Sequence, residues 1–179
     1  MSKTLKNTEN TYGSVSKGLH WIIFLLVLMM LIIGFIMDDL PEKFQGAAYM
    51  LHKSTGLLIL ALMIFRFIWR QINIVPSLSN MPTWQKILAQ LVHQLFYVVL
   101  IIIPLTGWIL STASGHPPTF YDIVTLPFPG IPLDHALAEQ LGTVHTFLAY
   151  ALLTLLGGHI LASLKHHYID KDDILKRMV

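Results

Sequence analysis

The chain has 179 residues, 54% of them hydrophobic and 12% charged, with a mean hydropathy of +0.62. That balance excludes an ordinary soluble domain and places the chain in a bilayer, with membrane lipid as its first partner. A formal charge of +2 gives no reason to expect nucleic acid, and the lack of cysteine excludes disulfides, iron–sulfur clusters, thiolate copper sites and covalently attached haem. Any metal chemistry has to use histidine.

The first apolar run, Gly18 to Met37 (GLHWIIFLLVLMMLIIGFIM), has the roughly 20 residues needed to cross a hydrocarbon core. A lysine-bearing tail precedes it, as in a signal peptide, but the run is too long and ends in MDDLP without a small-residue cleavage site. It therefore reads as a retained helix. After a short connection from about Asp38 to Ala48 comes a second span, Tyr49 to Trp69, interrupted near its ends by Lys53 and Arg66, whose long side chains can reach the headgroups. The connection INIVPSLSNMPTWQK carries Pro76 and Pro82 and predicts an irregular loop with a helix start near Thr83. The third span, Ile87 to Thr112, contains Pro104, which predicts a kink. Ser114 to Glu139 is the longest connection; with GHPPTFYDIVTLPFPGIPLDH it is too apolar for a linker and is expected to pack over one mouth of the bundle. The fourth span is Gln140 to Leu164. Nothing soluble is long enough to fold apart, so the expectation is one domain over residues 1–179. Its class is all-α membrane, a four-helix transmembrane bundle with up-down-up-down connectivity.

Lys3, Lys6 and Lys17, then Arg66, Arg70 and Lys86, then Lys165, Lys171, Lys176 and Arg177 put ten of the twelve cations on one side. That side is predicted to be cytoplasmic, with both termini inside a bacterial inner membrane. The other side holds Asp38, Asp39, Glu42, Asp122, Asp134 and Glu139 against only Lys43 and Lys53.

Each span carries a histidine. In HTFLAYALLTLLGGH, His145 and His159 are fourteen residues apart, which rotates them by only about 40° and separates them by about 21 Å along the axis. They share a face and lie near opposite membrane surfaces. With the first helix running outward and the second inward, His20 falls at the inner level with His159 and His52 at the outer level with His145. Two imidazoles from facing helices are the axial pair of a b-type haem, which needs no cysteine, so the four histidines predict two haems with His20, His159, His52 and His145 as iron ligands. His93 also lies at the inner level and competes with His20 or His159 as a ligand; its other readings are a hydrogen bond between helices and a propionate or quinone contact.

Small residues at Gly56, Ala149, Ser163, Gly157 and Gly158 are expected to leave room for the macrocycle, whereas Phe24, one turn after His20, breaks that pattern. Arg66, fourteen residues after His52, reaches the inner level and is a propionate partner or an interfacial anchor; Lys53 is the outer counterpart. His166, in LKHHYIDKDD, is either a solvated helix end or a proton or hydrogen-bond donor to a quinone beside the inner haem. His116 and His135 are expected on the surface, and the four tryptophans in an aromatic belt.

GLHW, HKSTGLLIL with the downstream RFIWR, LVHQLFYVVLIIIPLTGW, HTFLAYALLTLLGGH and HHYIDKDDILKRM cover nearly the whole chain, and together they resemble the bacterial cytochrome b561 family, including its superoxide-oxidising members. The resemblance implies that His20 and His159 hold the inner haem and His52 and His145 the outer one. It also implies ubiquinone as electron acceptor on the cytoplasmic side. SGHPPTFYDIV matches the family only loosely and leaves the donor's docking face open.

Three functions follow as expectations. The first is an oxidoreductase that carries electrons from an outer donor, superoxide by family precedent, to ubiquinone. The second is a haem-carrying electron-transfer subunit for a partner dehydrogenase or redox protein. The third, a proton or metal transporter with a histidine relay, lacks an intramembrane carboxylate.

Overall fold

The computed structural model describes residues 4–77 and 82–179. Lys3, one of the cations counted above, and residues 78–81 of the second connection lie outside them. Four long helices, α1 (Ser14–Ile36), α2 (Glu42–Gln71), α3 (Thr83–Ala113) and α4 (His135–Lys165), are each long and apolar enough to cross a membrane. α1 starts four residues before its apolar run, and α2, α3 and α4 extend past both ends of theirs. Hydropathy marks the lipid-facing length, whereas the backbone ladder continues through polar turns until something stops it. Pro41 and Pro82 stand immediately before α2 and α3, where a missing N–H costs nothing. Asp134 caps α4 by accepting from the Leu137 N–H at 3.0 Å. α3 runs through Pro104 as one helix.

The helices pack in chain order, and α1 also meets α4, where the Phe35 and Tyr150 rings lie 5.1 Å apart. Leu19, Ile23, Val27 and Leu31 repeat every fourth residue along α1 and meet Ile59 and Met63 of α2, Leu100 of α3 and Leu152 and Leu156 of α4 in a buried core. Outward, Ile22, Leu25, Ile32, Phe67, Val98, Phe147 and Leu161 stay exposed, as a lipid-facing surface requires.

At one end the segments flanking the helices clasp one another. Asn7 donates to the Ile74 carbonyl (2.7 Å), Ser77 N–H to Glu9 (3.0 Å), Arg177 to the Ser77 carbonyl (2.6 Å) and Lys17 Nζ to the Val179 carbonyl (2.6 Å). Trp21 donates its indole N–H to the Met178 carbonyl (3.0 Å) and Trp69 to Ser16 (3.2 Å), so these two are tied to protein. At the opposite end the long connection folds into a small antiparallel hairpin, β1 (Thr119–Phe120) with β2 (Val124–Thr125). Its turn places Tyr121 (φ 45°) and Asp122 (φ 59°) in the left-handed region, closed by Ile123 N–H to the Phe120 carbonyl at 2.9 Å. The hairpin rests on α2: Ser54 donates to the Thr119 carbonyl and accepts from Tyr121 N–H, and Tyr121 Oη lies 3.1 Å from Thr55 Oγ1.

Candidate functional site

At the hairpin end, α2 and α4 bring His52 and His145 together with ring centroids 6.1 Å apart. At the clasp end, α1 and α4 bring His20 and His159 to 6.3 Å. A metal–nitrogen bond of about 2 Å on either side of an ion, plus roughly 1 Å from each ligating nitrogen to its ring centroid, gives a centroid separation of about 6 Å. His93 of α3 joins the clasp-end group, its ring 5.9 Å from His159, and Phe96 packs on His159 at 5.3 Å. All five histidines are half-buried.

The partners of each ring decide which nitrogen is available. His145 Nδ1 lies 3.1 Å from the Ile103 carbonyl and 3.1 Å from Thr106 Oγ1, whose own hydroxyl donates to Ile103 at 2.7 Å. Both neighbours accept, so the ring proton sits on Nδ1 and Nε2 is free as a ligand. His52 Nδ1 is buried without a partner among the described residues. Arg66 Nη2 lies 3.2 Å from His20 Nδ1. A guanidinium can only donate, so this contact places the His20 proton on Nε2.

Gly34 of α1 and Gly107 of α3 belong to the site as well, although motif reasoning passes them by. A Cβ at Gly34 would stand 2.9 Å from Cε1 of His52, and one at Gly107 would stand 3.0 Å from Cε1 of His145. Of the small residues expected to make room, Gly157 and Gly158 border open space, with nothing within 4 Å of a built Cβ, and Gly56 meets only the Met30 methyl at 3.7 Å. The signal was a spacing. Gly34 follows His20, and Gly107 follows His93, by the fourteen residues that separate His52 from Arg66 and His145 from His159.

Lys53 donates to the His116 carbonyl at 2.9 Å and thereby ties the hairpin-end connection to α2. His116 and His135 are exposed, the latter as the first residue of α4. His166 opens a π-helical turn (His166–Asp170) that continues α4, and it makes none of the imidazole contacts above. The chain reverses at Lys171 (φ 54°), so that His166 Nδ1 donates to Asp172 Oδ2 at 2.7 Å and lies 3.2 Å from Asp170 Oδ2. Asp172 is held in turn by the Ile174 N–H (3.0 Å), and Asp170 by Lys165 (2.6 Å).

The prokaryotic cytochrome b561 family matches residues 11–179. Cytochrome b561 homolog 2 of Escherichia coli (strain K12) is 34% identical over 180 residues, spanning 97% of this chain and 93% of that protein. A protein of Yersinia pestis named probable superoxide oxidase CybB is 28% identical over 94% of this chain and 95% of its own length. Cytochrome b561 homolog 1 of E. coli (strain K12) is 28% identical over 95% and 97%. The family implies b-type haem, and the residues present fit it: facing imidazoles at ligand separation, no competing thiolate, and at His145 an Nδ1–H held by a carbonyl.

Proposed function

Since the chain belongs to the prokaryotic cytochrome b561 family of membrane electron-transfer proteins, we propose that it carries electrons across the bacterial inner membrane, from superoxide on the hairpin side to ubiquinone on the clasp side. In this reading His52 with His145 and His20 with His159 each hold one b-type haem, and both termini lie in the cytoplasm. The observation that carries the reading is the pair of imidazole couples, 6.1 and 6.3 Å between rings, one at each end of the bundle.

When bound, the haems supply one-electron redox chemistry. Two superoxide anions each give up one electron and leave as dioxygen; ubiquinone takes the two electrons and two protons to become ubiquinol. The side chains position, screen and protonate. Ile103 and Thr106 fix the His145 tautomer. A ligand role for His20 asks for its proton on Nδ1, which releases Arg66 to pair with a propionate carboxylate. His93, whose ring lies 5.9 Å from that of His159, is in this reading the contact to the propionate or the quinone. His166 Nε2, with Nδ1 held by Asp172, is the atom that passes protons towards the quinone.

A second reading, a haem-carrying subunit that takes electrons from a protein, is favoured by the charge of the hairpin side. Asp38, Asp39, Glu42 and Asp122 are exposed there, while the Lys53 ammonium is engaged by a carbonyl. Such a face repels an anion and suits a basic partner. One assay separates the two: superoxide is supplied to purified protein with a ubiquinone analogue. Quinol formed without any partner protein is the expected result, and failure of superoxide to reduce the haems would transfer the function to the partner reading.

A further inference from the structure

We propose that Gly34 and Gly107 are positioning residues that seat the hairpin-end imidazoles and thereby set the properties of that haem alone. The inference rests on the reading that His52 and His145 are haem ligands. The two contacts are alike in form, a helical glycine of one helix set against a ring from the next: α1 against α2, and α3 against α4. The built Cβ at Gly34 lies 2.9 Å from Cε1 and 3.5 Å from Nδ1 of His52; at Gly107 the same atoms of His145 lie at 3.0 and 3.3 Å. A side chain at either position would therefore strike the ring on its Cε1–Nδ1 edge. That edge adjoins Nε2 through Cε1, so a push on it turns the direction in which Nε2 points, and Nε2 itself is the farthest of the three atoms, at 4.0 and 3.9 Å.

The seats differ in how far the ring can yield. His145 is tied to α3 twice over, by Gly107 at its edge and by the Ile103 carbonyl and Thr106 hydroxyl at Nδ1. His52 has no hydrogen-bond partner at Nδ1 among the described residues, so the close approach of Gly34 is what holds its ring in register. The clasp end has no equivalent. Gly18, Gly157 and Gly158, near His20 and His159, have nothing within 4 Å of a built Cβ. At that level the fourteen-residue counterparts of Gly34 and Gly107 are His20 and His93 themselves.

The test uses full-length protein from haem-sufficient cells, with haem content, a redox titration resolving the two components, and low-temperature electron paramagnetic resonance of the oxidised protein. In Gly34→Ala, which pushes on a ring that has no Nδ1 hydrogen bond to resist it, one component shifts its midpoint and resonance while the other keeps both. In Gly107→Ala, which also breaks the Nδ1 contacts, haem content falls by about half. Gly46→Ala and Gly142→Ala, whose added Cβ meets nothing within 4 Å, behave as the parent. A double-mutant cycle guards against simple misfolding: in a His52→Ala background Gly34→Ala changes neither the remaining component nor the thermal midpoint, because the ring it strikes is gone. Two unchanged components in both glycine variants, equal shifts of both components, or an undiminished effect of Gly34→Ala without the His52 ring would overturn the proposal. Unchanged haem content in His52→Ala and His145→Ala would instead overturn the ligand reading on which it rests.

Discussion

His159 has two imidazole neighbours, His20 at 6.3 Å and His93 at 5.9 Å, so distance alone does not choose its partner. In the proposed reading the partner is His20, whose ring shifts its proton from Nε2 to Nδ1 as Arg66 lets go. Replacing His20 by Ala is expected to remove about half of the haem and leave the hairpin-end component. Replacing His93 by Ala is expected to retain both haems and change only quinone reduction. Haem content per chain decides: a full complement in His20→Ala with half in His93→Ala would make His93 the ligand. The pairing of the four histidines was legible because His145 and His159 recur at one spacing on one face of α4 and the alternating directions of α1 and α2 bring His20 and His52 to the same two levels. Gly34, Gly107, Thr106 and the Ile103 carbonyl were not, because they meet the rings from the facing helix. What a ring meets on the facing helix depends on rotation and register, which no single segment encodes.

At the scale of elements, two devices anchor the hairpin end. The Asp134 cap on the Leu137 N–H starts α4 ten residues before His145, and its removal in Asp134→Ala is expected to cost about 1 kcal/mol, read as a lowered thermal midpoint. The turn of the β1–β2 hairpin holds Tyr121 and Asp122 at positive φ, a conformation that glycine adopts without strain. Asp122→Gly is therefore expected to raise the midpoint slightly. Tyr121→Gly gains the same relief but loses the hydroxyl contact to Thr55, so it lowers the midpoint. An equal rise in both would mean that the contact contributes nothing. The helices themselves were readable from hydropathy, and the start of α3 at Thr83 from Pro82. The hairpin was not, since its strands of two residues each carry no alternation long enough to register.

On the scale of the whole molecule, the bundle is closed differently at its two ends: by the hairpin resting on α2, and by the tails and the second connection bonded to each other. Tyr12 sits in the clasp, its N–H directed to the Arg177 carbonyl at 3.4 Å. Burial holds its phenol above the ordinary value of 10.0, against the opposing pull of Arg70, Arg66 and Arg177. A group whose folded value is raised stabilises the fold fully below its unfolded value and loses that contribution as pH climbs through the folded one. The clasp is thus at full strength at neutral pH and weakens only above about pH 10. A spin label placed at the exposed Leu5 reads this directly, with its spectrum sharpening as the tail detaches on alkaline titration. In Tyr12→Phe, which keeps the ring and has no proton to lose, that transition disappears. A label that mobilises at the same pH in both proteins would assign the opening to another group.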